Sequence, residues 1–458
     1  MDLRSNRERE SGSVSVSFFR RGDIALIAAS VAPLVYTLFD ASNGDVPLYY
    51  HCAERLLSGA LPYRDWVFEY PPYALLWFVL PGAMHGYVGF RALFSLQVLA
   101  LDLAAKLVLL REGDRAARRA KAARGGQSAE SARDDHHLIR LGPFLLFSLL
   151  GVFQTYFYLK RLDAIAAALV LVALVAFVNE RMAAAGALLA LATGTKLYPA
   201  LAAPALIFLA YQRGKALRFV AGGAAALVPL ACLSALLPWW RFASFQAARG
   251  IQVESTYGSV LWLLHFFGMP ATWVGRLGCC IEIGGPVSQL VAPVARVLFG
   301  ATVLAAVAAS VAAAGPGLRL EMAGRRSRPS TADDEGARSA RIGRLVLLPI
   351  VAFMVSSLAL SPQFAVWPIG PAALAISRGR RAPLVMVALA VMLTLFVFPA
   401  PGYFVPSGVG ISLGRSIVVV ARNIALIAAL GLLAREVAAC LASARARSAA
   451  GDTVLRER

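Results

Sequence analysis

Residues 163–211 read DAIAAALVLVALVAFVNERMAAAGALLALATGTKLYPALAAPALIFLAY, and this stretch decides the fold. Its three apolar runs, at about 163–178, 183–195 and 197–211, are interrupted only by Asn-Glu-Arg and by Lys196. The runs are continuous and rich in Ala, Leu and Val, without the alternation that a transmembrane β-strand shows. A backbone in lipid must satisfy its own hydrogen bonds, so runs of this kind become helices. The stretch therefore predicts consecutive membrane-spanning helices.

The composition extends this pattern to the whole chain. The 458 residues are 59% hydrophobic and 16% charged, whereas soluble domains are about 25% charged. A helical span needs about 20 apolar residues to cross a hydrocarbon core of about 30 Å. We predict an all-α, polytopic transmembrane helix bundle of about 11–13 spans. The predicted spans lie at about 23–39, 91–110, 141–158, 163–178, 183–195, 197–211, 217–237, 286–314, 344–360, 364–377, 383–399 and 413–434.

The basic residues orient this bundle. The net charge of +19 would suggest nucleic acid on a soluble chain. Most of the 45 Lys and Arg residues, however, lie in short segments between apolar runs, which is the positive-inside bias and argues against nucleic acid. We expect a multi-pass protein of the plasma (inner) membrane with both termini in the cytoplasm. The cytoplasmic parts are then the tails 1–22 and 435–458 and the loops at about 111–140 and 315–343.

Two long segments that are not simply hydrophobic remain on the outer side, at about 40–90 and 238–285. Residues 71–85 are apolar, but this segment is short and rich in proline. The positive-inside bias holds only if this segment does not cross the membrane. Long non-spanning segments on one face indicate a site there. The sequence has no Walker-type loop, Rossmann glycine fingerprint or H-E-x-x-H motif, which argues against a soluble nucleotide-binding domain. The acidic and histidine run Asp134, Asp135, His136 and His137 could bind a metal, but its position in a predicted cytoplasmic loop argues against this role.

The first outer segment contains the densest set of reactive side chains. Residues 45–72 read DVPLYYHCAERLLSGALPYRDWVFEYPP and supply the carboxylates of Asp45, Glu54, Asp65 and Glu69 among several aromatic rings. Ring faces pack on the apolar faces of sugars, and carboxylates accept hydrogen bonds from hydroxyl groups or act as general bases. The alternative interpretation is an interfacial aromatic belt with solvated acids.

This block resembles the first outer loop of the GT-C superfamily of membrane glycosyltransferases. The resemblance is greatest to glycosyltransferase family 87, the polyprenyl-phosphate-mannose-dependent α-mannosyltransferases. The matching residues of the block are Asp45, Tyr49, Gly59, Pro62, Tyr63, Tyr70, Pro71 and Pro72. Further elements follow in the expected order over about residues 40–370. They are an Asp-led helix, a Lys-x-x-Pro helix, a Glu-Ser element and a Ser-Pro-Gln-aromatic segment, with Asp163, Lys196, Pro199, Glu254, Ser255, Ser361, Pro362 and Gln363.

The resemblance implies a transmembrane glycosyltransferase domain over residues 23–434. Such an enzyme moves a sugar, by default mannose, from a polyprenyl-phosphate donor to a lipid or glycan acceptor on the outer face, with inversion. A carboxylate of the first outer loop removes the proton of the acceptor hydroxyl, and Asp45 is our candidate for this base, ahead of Asp40. A positioned carboxylate helps most as charge develops in the transition state. The alternative role of Asp45 is to cap the following helix.

The leaving phosphate also needs cations near the outer edge of the membrane. Lys196, Arg415, Arg422, His265 and Arg276 are candidates. Lys196 could instead snorkel to the interface, and Arg415 and Arg422 could be structural partners of Asp163 or Glu254. The full set of predicted substrate-binding residues is Tyr49, Tyr63, Asp65, Glu69, Tyr70, Asp163, Lys196, Glu254, His265, Gln363, Arg415 and Arg422.

Two other functions stay open at this stage. A membrane transporter or a flippase for lipids or sugar-lipids would explain the spans and the intramembrane charges, but not the acidic and aromatic first loop. A non-catalytic assembly protein would tolerate loss of the loop carboxylates. The resemblance implies no fixed cofactor, because family members differ in their use of a divalent cation. Membrane lipids surround the chain under every interpretation.

Overall fold

A computed structural model describes residues 21–38, 44–84, 86–123, 129–234, 237–268, 273–277, 280–325, 332–376, 381–397 and 412–456. Asp40, the second candidate for the base, lies outside these residues. The α-helices are α1 (Arg21–Tyr36), α2 (Val46–Leu57), α3 (Leu76–Gly82), α4 (Gly86–Ala123), α5 (Ala129–Val152), α6 (Thr155–Tyr158), α7 (Leu162–Val178), α8 (Met182–Thr195), α9 (Ala203–Gln212), α10 (Ala216–Ser234), α11 (Arg241–Ala247), α12 (Thr256–His265), α13 (Pro286–Arg325), α14 (Ala332–Ser356), α15 (Ile369–Leu374), α16 (Ala382–Val397) and α17 (Leu413–Arg456). Three 3₁₀ turns lie at Pro72–Leu75, Tyr198–Ala202 and Pro362–Val366.

The chain folds as an all-α helix bundle, which confirms the predicted fold class. Four helical stretches in the described residues are long and apolar enough to cross a membrane: Gly86–Arg118, Pro286–Gly315, Gly336–Ser356 and Leu413–Ser443. Eight shorter apolar helices of 10–17 residues pack with them. The short helices include the three runs from which the fold was predicted. Their length, composition and close packing are those of a polytopic membrane protein.

Helix α7 forms the centre of the bundle. Nearly every side chain from Leu162 to Phe177 is buried, because this helix is apolar on all sides. Helix α8 packs against α10 through glycines. A Cβ atom at Gly186 would lie 1.9 Å from the carbonyl oxygen of Phe219, and one at Gly222 would lie 2.0 Å from that of Ala183. Small residues of this kind let helices in a membrane approach backbone to backbone.

Three features differ from the sequence-based expectation. Residues 364–377 were predicted as one span but form the 3₁₀ turn Pro362–Val366 and the short helix α15. This broken segment packs along α14, where the backbone of Pro371 and Ala375 lies against Gly343. Proline at positions 362, 368 and 371 interrupts the helix because it lacks an N–H donor.

The second difference is that the long helices continue beyond their apolar parts. Helix α4 extends to Ala123, α13 to Arg325 and α17 to Arg456, into segments predicted to be cytoplasmic loops or a tail. These extensions are rich in Ala and Arg, which have high helix propensity. The boundaries of the cytoplasmic parts remain a prediction.

The third difference is a small sheet within the second predicted outer segment. Strands β1 (Ile251–Gln252), β2 (Trp273–Leu277) and β3 (Cys280–Gly284) pair antiparallel in the order β1-β3-β2. The pairing joins Ile251 to Ile283 and Gln252 to Glu282. This sheet fixes the strand that leads to Glu254. Residues 71–84, by contrast, form only a 3₁₀ turn and the seven-residue helix α3, and residue 85 lies outside the described residues.

Candidate active site

A cavity of about 900 Å³ lies between the two long segments that were predicted to be outside. Its walls come from the start of α2, the loop before Pro72, the chain around α6, the end of α8, the helix α11, and parts of α13 and α14. The charged and polar lining residues are Asp45, Glu69, Arg161, Lys196, Gln246, Arg249, Gln252, Glu254, Arg296, Ser357, Ser361 and Gln363. The aromatic lining residues are Tyr70, Tyr156, Phe157, Tyr198, Phe242, Phe299, Phe353, Phe364 and Trp367.

Asp45 lies at the rim of this cavity, at the N-terminus of α2. It occupies the N-cap position, but its side chain makes no capping hydrogen bond. Its Oδ2 instead forms an ion pair with Nη1 of Arg161. Gly44, with φ of +56°, packs on Lys160 and lets the chain turn toward this arginine. The side chain of Asp45 is one quarter exposed, so the carboxylate is oriented by Arg161 and still reachable from the cavity.

Lys196 is fixed in the cavity wall by Asp163. Its Nζ lies 3.0 Å from Oδ2 of Asp163, whose other oxygen accepts a 2.6 Å hydrogen bond from Nε1 of Trp367. Asp163 has no exposed surface, so its charge depends on Lys196 for compensation. The ammonium also lies over the rings of Tyr70 and Phe364, at 5.4 and 5.7 Å from their centroids. Lys196 thus pairs within the site rather than snorkelling away from it.

The predicted tyrosines form the support behind the wall. The Tyr49 oxygen accepts a hydrogen bond of 3.3 Å from the N–H of Leu162 at the start of α7. The Tyr63 hydroxyl donates to the carbonyl of Tyr70 at 2.6 Å, and the Tyr49 and Tyr70 rings meet edge to face at 5.8 Å. Burial raises the pKa of Tyr49 and of Tyr63, so both phenols stay protonated. Of these three, only Tyr70 lines the cavity.

The second outer segment closes the other side of the cavity. Arg249 lies 3.4 Å from Oε2 of Glu69, and Gln246 donates to the carbonyl of Glu69 at 2.9 Å. These contacts join α11 to the first outer segment. The two long segments therefore build one site together.

A hydrogen-bonded group at the base of the cavity includes Glu254. The amide of Gln252 lies 3.1 Å from Oε2 of Glu254 and 3.0 Å from Oγ of Ser361. Arg422 is buried and donates to the carbonyl of Glu254 at 2.6 Å, and Asn423 donates to the same oxygen at 3.2 Å. Arg422 thus holds the backbone of Glu254 from α17, which agrees with its alternative interpretation as a structural partner.

Several predicted site residues lie elsewhere. Asp65 is exposed, accepts the N–H of Leu61 at 2.7 Å and pairs with Arg64, so it shapes its own loop. His265 is exposed at the end of α12 and stacks on Trp262 with 4.9 Å between ring centroids. Arg415 is half-buried on α17. None of these three lines the cavity, whereas Gln363 does.

The structure adds lining residues that sequence reasoning did not select, chiefly Arg161, Arg249, Gln252 and Arg296. Arg161 could have been found from its place two residues before Asp163. Arg296 is the single charged residue between positions 286 and 317, inside an apolar run. Arg249 carries no signal of this kind, because its role depends on the packing of α11. In the described part of the chain, no group of three or more His, Cys, Asp and Glu residues is placed to hold a metal.

The bundle and its cavity define a membrane protein with a carboxylate-, cation- and aromatic-lined site. A family profile, that of glycosyltransferase family 87, matches residues 68–327, which is more than half of the chain. The chain belongs to glycosyltransferase family 87 and is a membrane glycosyltransferase. No curated protein and no solved structure matches it. The matched region holds Glu69, Asp163, Lys196, Glu254 and Arg296, while Asp45 and Gln363 lie outside it.

Proposed function

We propose that the protein transfers a sugar, with mannose as the first candidate, from a polyprenyl-phosphate donor to a lipid or glycan acceptor. The reaction takes place in the cavity, on the outer face of the plasma membrane, and inverts the anomeric centre. One observation carries the proposal: a partly exposed carboxylate, a set of cations and a series of aromatic faces line a single cavity in a membrane-embedded bundle. Family membership supports the glycosyl transfer itself.

Asp45 is the proposed general base. The acceptor oxygen forms a bond to the anomeric carbon while the bond from that carbon to the phosphate oxygen breaks. The acceptor proton passes to the Asp45 carboxylate, and the electron pair of the broken bond leaves on the polyprenyl phosphate. Because Arg161 holds one carboxylate oxygen, the orientation of the base is fixed before the substrates bind. Removal of the proton matters most as positive charge builds on the attacking oxygen.

The rest of the cavity is proposed to hold the sugar. The aromatic faces of Tyr70, Phe364 and Trp367 suit the apolar face of a hexose. Lys196 supplies N–H donors for substrate oxygens, because Asp163 uses one of its three. Gln363, Glu254 and Glu69 also line the cavity and offer acceptors for hydroxyl groups. No divalent cation is required by this scheme.

A transporter or flippase is the second candidate, since it too would have a polar cavity within an apolar bundle. Family membership favours the enzyme. The charge pattern also favours it, because Asp45 and Asp163 each have a cationic partner on a different chain segment, which gives a rigid site. A carrier that exposes its site alternately to two sides must instead let the walls separate.

The test is sugar transfer in membranes that contain the wild type, Asp45→Asn or Glu54→Gln at matched expression. The donor is labelled polyprenyl-phosphate mannose, and the products are identified by mass spectrometry. Glu54 is the matched control, because it is an exposed carboxylate on the same helix and lies outside the cavity. We expect Asp45→Asn to reduce transfer by about 100-fold or more, since a positioned base contributes at least that much. Glu54→Gln should retain wild-type activity.

Three other outcomes would each contradict part of the proposal. Equal transfer by the wild type and Asp45→Asn would exclude Asp45 as the base. Transfer of a different sugar when other polyprenyl-phosphate donors are supplied would replace mannose. Movement of the lipid-linked sugar across the membrane without any transfer product would favour the flippase.

A further inference from the structure

The cavity contains cations of two kinds. Those of the first kind are already paired with carboxylates: Arg161 with Asp45, Lys196 with Asp163, and Arg249 with Glu69. Arg296, on α13, is of the second kind. Among the described residues it forms no ion pair, and its one hydrogen bond is a long contact of 3.4 Å to the carbonyl of Arg249.

Arg296 also lies at an unusual place for a charge. It is exposed and is the single charged residue in an apolar stretch that runs from position 286 to 317. Val297 and Leu304, between Arg296 and Gly315, have more than half of their surface exposed, as expected for side chains that face lipid. A charged residue on such a helix is costly unless it reaches the interface or meets a partner.

The position of Arg296 along α13 is compatible with the depth of a lipid phosphate. The apolar part of α13 ends at Gly315, which is nineteen residues beyond Arg296. At about 1.5 Å per residue this separation is about 28 Å, close to the thickness of about 30 Å of a hydrocarbon core. If Gly315 lies at one edge of the core, Arg296 lies at the other, where the phosphates of membrane lipids are found.

The same residue is connected to the interior of the cavity. Phe299, one turn further along α13, meets Phe353 edge to face at 5.0 Å, and Phe353 lies 5.5 Å from Trp367. Trp367 in turn donates to Asp163, the partner of Lys196. The aromatic wall is thus continuous from the lipid-facing helix to the proposed sugar pocket. A prenyl chain could remain in lipid beside α13 while its sugar enters the cavity.

Two carboxylates lie beside Arg249, the residue whose carbonyl Arg296 contacts. Glu282 on β3 is largely buried, accepts the backbone N–H of Gly250 and faces Arg249. Burial raises its pKa, which disfavours its negative charge and weakens its competition for nearby cations. Glu69 is committed to Arg249. Neither carboxylate forms an ion pair with Arg296.

We infer that Arg296 is the residue that binds the phosphate of the lipid-linked donor, at the membrane-facing mouth of the cavity. This inference rests on the proposed function and assigns its anion-binding step to one side chain. A guanidinium suits this role, because its planar set of donors matches two phosphate oxygens at once. The alternative is an arginine that only anchors α13 at the interface through any anionic lipid.

Direct binding separates these possibilities without relying on transfer. Purified protein in neutral detergent is titrated with radiolabelled decaprenyl phosphate, and unlabelled decaprenol or phosphatidylglycerol serves as competitor. The variants are Arg296→Gln, Arg296→Lys and the control Arg64→Gln, which removes another exposed arginine that lies outside the cavity. Thermal unfolding of each variant verifies that it is folded.

We expect the wild type and Arg64→Gln to prefer decaprenyl phosphate over both competitors. Arg296→Gln should bind it about tenfold more weakly or worse, since a hydrogen bond between charged groups is lost. Arg296→Lys should fall between them, because an ammonium keeps the charge but not the paired donors.

The failures are distinguishable. If folded Arg296→Gln keeps the full preference for the phosphate, or if phosphatidylglycerol competes as well as decaprenyl phosphate, the inference about Arg296 is wrong and the proposed function is untouched. If the wild type itself shows no preference for decaprenyl phosphate over decaprenol, the polyprenyl-phosphate donor is wrong, and the role of Arg296 fails with it.

Discussion

The Asp163 carboxylate shows how a single residue organises the site. It has no exposed surface, and its two oxygens are taken by Trp367 and Lys196. A buried charge of this kind is tolerated only because a paired cation and a hydrogen bond compensate for lost hydration. Asp163 therefore acts through Lys196, as a positioning residue, rather than on the substrate.

At this scale we expect Asp163→Asn to leave Lys196 without its counter-ion. Apparent stability should fall by about 3 kcal/mol or more, as when one member of a buried pair is removed. Thermal unfolding in detergent measures this loss, and sugar transfer should fall in parallel. The double variant Asp163→Asn, Lys196→Met should regain part of the stability but none of the activity. Additive losses in the double variant would show that the two residues are not coupled.

Among the elements, α8 links global packing to the site. Its middle contacts α10 backbone to backbone at Gly186, and its end places Lys196 in the cavity wall. Near its end, Gly194 leaves the space that the Tyr73 ring fills. A displacement of α8 must therefore move the ammonium relative to Asp163 on α7.

Gly186→Ala should consequently reduce both stability and activity. Its Cβ atom would lie 1.9 Å from the Phe219 oxygen, so the two helices must separate. We expect a loss of about 1–3 kcal/mol, typical of overpacking, together with weaker transfer. Gly300→Ala on α13 is the control, because nothing lies within 4 Å of its Cβ position. Unfolding temperatures that are equal for the two variants would contradict the close contact.

At the scale of the whole molecule, polar contacts gather at two places. One is the cavity. The other joins the two loops predicted to be cytoplasmic to the turns after α7 and α9: Glu180 pairs with Lys215 and Arg338, and Asn179 donates to Glu112 at 2.7 Å. The segments assigned to one side by charge thus meet each other in the fold. The division into cytoplasmic parts and an outer site, with the termini inside, remains a prediction.

Cysteine labelling tests this orientation. In a variant without the five native cysteines, Arg64→Cys should react in intact cells with a maleimide that cannot cross membranes. Ser443→Cys, at an exposed position where the apolar stretch of α17 ends, should react only after the cells are permeabilised. The opposite pattern would invert the topology, and it would place the cavity on the cytoplasmic side.

The local sequence determined the fold class by itself, because long apolar runs have only helical solutions in lipid. The three predicted runs correspond to helices of the structure. Run 163–178 is α7, run 183–195 is α8, and run 197–211 is the 3₁₀ turn Tyr198–Ala202 followed by α9. The break at 364–377 was not predicted, since the apolar composition of this segment hides the effect of its prolines. Asp45, Glu69, Tyr70, Lys196, Glu254 and Gln363 were chosen by pattern and line one cavity.

Only the tertiary structure decided which charges meet. Sequence spacing could not pair Asp45 with Arg161, or Glu69 with Arg249, because each pair joins segments that are more than one hundred residues apart. Nor could it separate Asp65 and His265 from the cavity, since residue type does not report the direction of a side chain. Arg296 is informative for the same reason. The sequence shows that Arg296 is a charge in an apolar run. Only the packing of α13 beside the cavity shows that Arg296 has no carboxylate partner among the described residues.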